Sequence, residues 1–239
     1  MSITVDYCKN TEELECAKKL FGEIFSADEF AEKFYTLIEN RGDVDVILGK
    51  YNNEPVSVIH IVRCGDVSYI YGAGVLTKYR LKGVFRVLVM ESVKMCEQKG
   101  DRLIFMVPQE SFHYDIYKKF DINTEVYKNV YELTNDLRFK TKSVNDIHLL
   151  YSLYLEKNKS MVCLPYELFE LYISETDRRV EFIECNDEIC GYIISEEDKP
   201  YEIYCRNDGF YRVAGREVFA LAVENGKKIE EIYEAVYLD

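Results

Sequence analysis

A short basic loop contains the residues whose types and spacing are best suited to bind an anion. Arg80, Lys82 and Arg86 surround Gly83, between an apolar segment and a segment with helical periodicity. The first N–H groups of a helix have no partner within the helix, and they lie at the positive end of the helix dipole. A strand, a basic turn with one glycine and a helix therefore form a cradle suited to a phosphate or pyrophosphate.

A strand and a helix must position this loop. Residues 67–76 form an apolar run that predicts a buried strand, and Val84, Leu88 and Met95 recur at helical spacing within residues 84–99. The loop lacks the Gly-Lys-Ser/Thr of a Walker loop and the Gly-x-Gly-x-x-Gly of a dinucleotide turn. The spacing therefore excludes these two common phosphate-binding turns.

Two motifs together resemble those of a known superfamily. Residues 80–85, Arg-Leu-Lys-Gly-Val-Phe, resemble the Arg/Gln-x-x-Gly-x-Gly/Ala loop of the GNAT N-acetyltransferases. Residues 103–108 form a strand pattern ending in proline, and residues 111–120 contain Tyr117; they resemble the fifth strand and following helix of that family. The resemblance covers roughly residues 1–135. It implies an α/β fold of the GNAT acyltransferase type, built on a mixed sheet.

The resemblance also implies a cofactor site. In the family, this loop holds the pyrophosphate of acetyl-coenzyme A, and backbone groups of the fourth strand hold the pantetheine and the acetyl carbonyl. The residues implied to bind acetyl-coenzyme A here are Val75, Leu76, Thr77, Arg80, Leu81, Lys82, Gly83, Val84, Phe85, Arg86 and Glu110.

Three positions depart from the family pattern. Phe85 stands where the loop usually has a small residue, and Glu110 stands where the family has an asparagine. The pair Asp121 and Ile122 replaces the usual Gly-Phe after the helix. A large residue at position 85 predicts a less close approach of the backbone to the pyrophosphate.

The resemblance gives one catalytic acid and leaves the general base open. Tyr117 matches the tyrosine that family members use to protonate the departing thiolate of coenzyme A. Many relatives carry a glutamate on the fourth strand, but residues 69–74 contain no carboxylate. The C-terminal carboxylate of Asp239, the side chain of Glu110 and a water relay remain as alternatives for the base.

Other reactive residues favour structural roles. His60 lies in an alternating strand pattern, and His113 lies close to Tyr117 in sequence, which makes it the better of the two to test. Cys64 and Cys96 have no evident histidine partner, so packing is the favoured interpretation. The chain has eight cysteines and three histidines without Cys-x-x-Cys pairs, and this composition predicts no metal site.

Composition limits the classes of partner. The formal net charge of −13 over 239 residues argues against nucleic acid, because binding phosphates requires a basic face. An acidic surface attracts amines, although it also simply promotes solubility. The sequence contains neither a signal-peptide pattern nor a long uninterrupted apolar run, so we expect a cytoplasmic protein with reduced thiols that does not span a membrane. Both a monomer and a homodimer are compatible with it.

The order of predicted elements indicates two domains. Residues 1–135 are predicted as the GNAT domain, and residues 136–239 as a smaller, degenerate GNAT-like α+β domain, joined by a polar passage at 134–142. In the second domain, a helix is predicted at 214–225 and a last strand at 229–237. An unrelated α+β domain is the alternative. No second basic loop is present, so this domain is expected to bind no cofactor of its own.

Two helix starts are also predicted from local signals. Thr11 is the predicted N-cap of a helix over residues 12–25. Ser26 has capping-box spacing to Glu29, which predicts a second helix running to Asn40.

The sequence is compatible with two classes of function. The first is an N-acetyltransferase that moves an acetyl group from acetyl-coenzyme A to a primary amine of a small molecule or peptide. The second is a non-catalytic GNAT-like protein that senses acyl-coenzyme A, which the altered Phe85, Glu110 and Asp121 positions favour. The presence of Arg80 and Tyr117 favours the enzyme.

Overall fold

A computed structural model describes residues 2–157 and 163–226 of the chain. The strands are β1 Ile3–Tyr7, β2 Val44–Tyr51, β3 Glu54–Cys64, β4 Val67–Val75, β5 Leu103–Met106, β6 Thr124–Leu133, β7 Phe139–Ser143, β8 Arg179–Cys185, β9 Glu188–Glu196, β10 Lys199–Cys205 and β11 Tyr211–Glu224. The helices are α1 Thr11–Phe25, α2 Asp28–Ile38, α3 Val84–Gln98, α4 Ser111–Lys118, α5 Ile147–Lys157 and α6 Tyr166–Glu175. The architecture is a mixed α/β fold.

The chain divides into two units. Among the described residues, the first comprises 2–126 and 220–226, and the second comprises 127–157 and 163–219. The larger sheet has the order β1-β2-β3-β4-β5-β11-β6, and the smaller has the order β10-β9-β8-β7. In the larger sheet, β4 and β5 run parallel, whereas β1 to β4 form an antiparallel meander.

Helices cover both faces of the first sheet. Along β3, Ile59 and Ile61 belong to the core cluster formed with α3, whereas His60 contacts the rings of Phe21 in α1 and Phe34 in α2. Successive strand side chains point to opposite faces, so a near-continuous apolar strand is the pattern that a sheet covered on both sides requires. β3 is buried at consecutive positions for this reason.

After the residues of β6, the second unit repeats the beginning of the first. Its elements come in the order β7, α5, α6, β8, β9, β10, with all neighbouring strands antiparallel. The first unit begins with β1, α1, α2, β2, β3, β4 in the same strand order and with the same antiparallel pairing. The two units differ after the fourth strand: β4 leads to helix α3, whereas β10 leads through a turn to strand β11.

Two predicted helix caps are wrong. Asn10, not Thr11, is the N-cap of α1, because its side-chain oxygen accepts a hydrogen bond from the backbone N–H of Glu13 at 2.9 Å. Ser26 does not begin α2 but ends α1, in a left-handed conformation with φ 53°. The helix α2 begins at Asp28 without a side-chain cap. Asn10 and Thr11 are adjacent candidates of similar capping propensity, and sequence alone cannot separate them.

The predicted helix at 214–225 is also wrong, because this segment belongs to strand β11. Residues Leu221–Glu224 pair antiparallel with Leu103–Met106 of β5. The side of β5 away from β4 needs a hydrogen-bonding partner, and this long-range pairing overrides the helix propensity of the Ala- and Leu-containing segment.

The expected passage between domains also contains structure. Residues 134–142 include most of β7, whose lysines are exposed while Phe139 is buried. The expected boundary comes after residue 135, whereas the two units divide between Val126 and Tyr127. The last predicted strand, 229–237, lies outside the described residues.

Candidate cofactor-binding and active site

The first feature of the site is a divergence of two parallel strands. β4 and β5 are paired from Val67 and Leu103 to Ile70 and Met106. β5 ends there, whereas β4 continues to Val75. Beyond the last pair, the backbone of β4 is therefore not paired with β5. An extended chain with amide groups can bind to such a strand edge by main-chain hydrogen bonds.

A β-bulge lies within the diverging part of β4. His60 pairs with Tyr71 and Val58 pairs with Gly74, so Gly72 and Ala73 together lie opposite one residue of β3. Gly72 has φ +57°, and a Cβ atom at this position would lie 2.6 Å from the ring of Phe21. A bulge bends its strand and increases the local twist. Glycine at this position therefore permits the bend that separates β4 from β5.

The basic loop leads from β4 to the start of α3. After a 3₁₀ turn at Thr77–Tyr79, Leu81 and Gly83 adopt positive φ angles of 62° and 80°. Gly83 is the N-cap of α3 and offers no side-chain cap, and the first turn of α3 contains no acidic residue. The first N–H groups of this helix are consequently open to a ligand. The helix that the sequence pattern predicted after the loop does begin at Val84.

Two tyrosine rings support the lysine of this loop. The Nζ atom of Lys82 lies 4.7 Å from the ring centroid of Tyr79 and 5.3 Å from that of Tyr51 on β2. Glu54 binds the neighbouring groups instead: it accepts a hydrogen bond from the Tyr79 hydroxyl at 2.5 Å and pairs with Lys78 at 3.2 Å. Among the described residues, Lys82 pairs with no carboxylate, so its charge remains available to an anion.

The two arginines of the loop are held by weaker contacts. Arg80 Nε lies 3.4 Å from the backbone oxygen of Val75, and the guanidinium of Arg86 lies 5.9 Å from the ring centroid of Phe120. Neither forms an ion pair with a carboxylate in the part of the chain that the structure describes. Three cations that form no ion pair within the described residues thus lie around an uncapped helix start, and this arrangement favours an anion with more than one charge.

The residues predicted to bind the cofactor fall into a buried group and an exposed group. Val75, Leu76 and Val84 are buried, and Phe85 is half-buried. The remaining loop residues are exposed, namely Thr77, Arg80, Leu81, Lys82, Gly83 and Arg86. Leu81 is fully exposed. The buried members Val75, Leu76 and Val84 thus anchor the loop to the core, while Leu81, the charged members and the glycine face solvent.

Tyr117 lies beside the first turn of α3. Its ring centroid is 5.9 Å from that of Phe85 and 6.5 Å from that of Phe120, and its side chain is 7% exposed. Burial raises the pKa of Tyr117 to about 12, so the phenol is protonated at neutral pH. The structure thus brings together the tyrosine and the loop that the two sequence motifs contain. Its role as the acid stays a prediction.

Glu110 and His113 form the start of α4. Glu110 is the exposed N-cap residue, and its backbone N–H lies 3.3 Å from Nδ1 of His113. Burial lowers the pKa of His113, which keeps the ring neutral and able to accept this hydrogen bond. Both residues therefore have a capping role. The predicted roles of Glu110 in cofactor binding or as a base stay predictions, and Asp239 lies outside the described residues.

His60 and Cys96 are buried, as their packing interpretation requires. The Nε2 atom of His60 lies 2.7 Å from the hydroxyl of Tyr35, and burial lowers the pKa of His60 to about 3. The histidine is therefore neutral at physiological pH. Burial raises the pKa of Cys96 to about 12, so this cysteine is a protonated thiol.

The aromatic residues that support the loop were not predicted from the sequence. Tyr51 lies on β2, far from Lys82 in sequence, and nothing in the local pattern indicates their contact. Tyr79 lies within the loop itself, and its spacing of three residues from Lys82 is a signal that could have indicated it. Phe120 lies just beyond α4 and meets Arg86 only because α3 and α4 pack together.

Comparisons with solved structures identify the fold. Eis1 from Mycobacterium abscessus matches with a TM-score of 0.63 and 12% identity, over 93% of this chain and 73% of that one. GCN5-related N-acetyltransferases from Kribbella flavida and Anabaena variabilis match with TM-scores of 0.57 and 0.55, at 11% and 12% identity. Each match covers 92% of this chain and 72% of the other. At such low identity, these similarities show the fold.

Comparisons at the level of sequence identify no relative. No family model matches the chain, and no characterised protein matches it by sequence. Among the described residues, no helix combines the length and apolar character that crossing a membrane requires.

Proposed function

We propose that this chain, which has the fold of the GNAT N-acetyltransferases, transfers the acetyl group of acetyl-coenzyme A to a primary amine of a small molecule or peptide. The observation that carries this proposal is the combination of a diverging strand β4 and an uncapped, cation-lined start of α3. The first suits a pantetheine arm with amide groups, and the second suits a pyrophosphate. Both features belong to one continuous segment, residues 67–98.

The loop residues in this proposal bind and orient the donor. The first N–H groups of α3, together with Arg80, Lys82 and Arg86, hold the pyrophosphate. The backbone of β4 up to Val75 holds the pantetheine, which directs the thioester towards the bulge. Held in this way, the thioester presents one fixed carbonyl to the attacking amine, and positioning of this kind lowers the entropic part of the barrier.

Tyr117 supplies the proton in this proposal. Amide formation from a thioester produces a thiolate, and a neighbouring phenol can protonate it as it departs. The raised pKa of Tyr117 keeps the proton on the hydroxyl until that step. The amine nucleophile must lose a proton as well. Because residues 67–75 of β4 contain no carboxylate, the base is a water relay, Glu110 or the C-terminal carboxylate of Asp239.

The absence of a carboxylate on β4 also favours a second candidate function, a non-catalytic protein that binds acyl-coenzyme A and senses it. This candidate uses the same loop and the same strand, and it differs only in having no acetyl transfer. The half-buried Phe85, which packs against Tyr117, is the second observation in its favour, because it stands where a small residue is usual.

Binding and turnover together test the proposal. Titration calorimetry with acetyl-coenzyme A is expected to give one site per chain, because β10 leads into a turn and a strand rather than into a helix start. Release of free thiol is then measured with polyamines, aminoglycosides and peptides as acceptors. Binding without thiol release from any acceptor would support the sensor. No binding would contradict both candidates, and two sites per chain would contradict a degenerate second domain.

A further inference from the structure

Two cysteines of the second unit lie within reach of each other. Cys190 on β9 and Cys205 on the adjacent antiparallel strand β10 have their Sγ atoms 3.6 Å apart. A disulfide bond has an S–S length of about 2.05 Å, so the sulfur atoms must approach each other by roughly 1.5 Å to form one. We propose that Cys190 and Cys205 are a modification site, at which a reversible disulfide bond links β9 to β10.

The surroundings of this pair argue against the two simpler interpretations. A third cysteine, Cys185, belongs to the same cluster, but no group of three or more potential ligands in the described residues could hold a metal ion. Packing alone does not require two thiols in contact, because other cysteines of the chain contact other groups. The Sγ atom of Cys8, for example, lies 3.6 Å from the backbone oxygen of Glu13.

The two thiols differ in solvent exposure, and this difference sets the order in which they react. Cys205 is half-buried, whereas Cys190 is buried at 6% exposure and also donates to the backbone oxygen of Ile183 at 3.4 Å. An oxidant from solvent therefore meets Cys205 first. Cys190 is positioned behind it to complete the reaction, as a resolving cysteine does.

The reaction balances with a small-molecule disulfide as oxidant. The thiolate of Cys205 attacks one sulfur of the external disulfide, whose S–S bond breaks and releases one small thiolate. The thiolate of Cys190 then attacks the sulfur of Cys205, which forms the protein disulfide and releases the second small thiolate. The two protein thiols lose two electrons and two protons, and the external disulfide becomes two small thiols.

The attack by Cys190, which is the second step, controls how the rate of disulfide formation depends on pH. Burial raises the pKa of Cys190 to about 12, and the hydrogen bond with Cys205 and the charges of Cys205 and Cys185 act in the same direction. A backbone hydrogen bond acts the other way and lowers the pKa of this thiol. Below its pKa, the thiolate fraction of Cys190 rises about tenfold per pH unit. The mixed disulfide on Cys205 is therefore expected to persist at pH 7 and to close faster at pH 9.

Peptide mapping tests the proposal on the full chain. The folded protein is incubated with oxidised glutathione at pH 7 and pH 9, the free thiols are blocked, and the chain is cleaved without reduction at glutamates. Cleavage after Glu196 and Glu202 separates the two cysteines, so a linked pair of peptides reports the bond. We expect this linked pair, formed at least tenfold faster at pH 9, and its loss on addition of a dithiol reductant.

Two variants identify which thiols react, so the test does not depend on the folding of a single variant. Cys190→Ala is expected to stop at glutathionylated Cys205, whereas Cys16→Ser, a half-buried cysteine of the first unit, is expected to form the bond as the unmodified chain does. A bond from Cys205 to Cys185, or a mixed disulfide that never closes at pH 9 in the unmodified chain, would overturn the proposal.

Discussion

The two units start with the same succession of elements but continue differently. In the first, β1 to β4 with α1 and α2 are followed by the basic loop and α3; in the second, β7 to β10 with α5 and α6 are followed by a turn and β11. A helix start provides unpaired N–H groups, and a strand start does not. The comparison teaches that the proposed anion site depends on the connection after the fourth strand and not on the meander that precedes it.

The buried polar groups of the two units differ as well. In the first, neutral His60 on β3 hydrogen-bonds Tyr35 of α2. In the second, Glu202 on β10 accepts a hydrogen bond from the hydroxyl of Tyr192 and lies 3.3 Å from Nζ of Lys157. The first unit therefore contains a buried neutral base in addition to its own ion pair of Arg63 and Asp101, whereas the second contains the pair of Glu202 and Lys157. Lowering the pH towards 5 is expected to act on the first core through His60.

The largest expected effect concerns Tyr117. Among its described residues, the second unit has no helix after β10 that could carry an equivalent tyrosine. The variant Tyr117→Phe preserves the ring packing against Phe85 and removes the hydroxyl alone. If Tyr117 protonates the thiolate, turnover should fall by roughly 10²-fold, with affinity for acetyl-coenzyme A nearly unchanged, because the proton is transferred in the transition state.

Steady-state kinetics with an acceptor amine, together with calorimetry, measure both quantities. Tyr114→Phe, a neighbouring tyrosine of the same helix α4, is the matched control and should keep its turnover. Turnover in Tyr117→Phe equal to that of the unmodified chain would exclude this residue as the acid.

The next prediction compares charge reversal in the basic loop of the first unit with charge reversal in the second unit, which has no such loop. The double variant Arg80→Glu with Lys82→Glu places two carboxylates beside the proposed pyrophosphate. It should weaken acetyl-coenzyme A binding at least tenfold, or by about 1.4 kcal/mol. Calorimetry measures this affinity. The double variant Lys140→Glu with Arg216→Glu makes the same change in net charge in the second unit and should bind as the unmodified chain does. Equal affinities of the two variants would contradict the loop as the binding site.

A third effect concerns stability rather than binding or turnover, and it arises from His60. The folded pKa of about 3 lies below the ordinary histidine value near 6.5, so protons bind to the unfolded chain first as the pH falls. This contribution to stability is complete above about pH 6.5 and is lost on acidification. From pH 7 to pH 5, it should reduce the free energy of unfolding by about 2 kcal/mol.

Urea unfolding at both pH values measures this loss. His60→Gln should remove this part of the pH dependence, whereas His148→Gln, which changes an exposed histidine of α5, should retain it. An unchanged difference between pH 7 and pH 5 in His60→Gln would contradict a neutral buried His60.

The sequence predicted the GNAT fold and the succession of strand, loop and helix over residues 67–98 correctly because their signals are local. The cations and the glycine of residues 80–86 lie within one turn and one helix start, and the apolar runs on either side show their periods directly. The helix predicted at 214–225 was wrong because the same residues satisfy a strand edge of β5 that lies far away in sequence. The caps at Thr11 and Ser26 were each wrong by one residue. Asn10 competes with Thr11 on nearly equal terms, whereas Ser26 instead ends α1 in a left-handed conformation.

The sequence by itself determined that a basic loop follows a buried strand and that a helix begins at Val84, because helix periodicity and glycine conformation are properties of neighbouring residues. Only the tertiary structure decided that Tyr51 supports Lys82, that Phe85 meets Tyr117, and that Cys190 and Cys205 lie 3.6 Å apart. These contacts join different strands and helices. They depend on register and packing, which are set by the free energy of the whole core and not by any local run of residues.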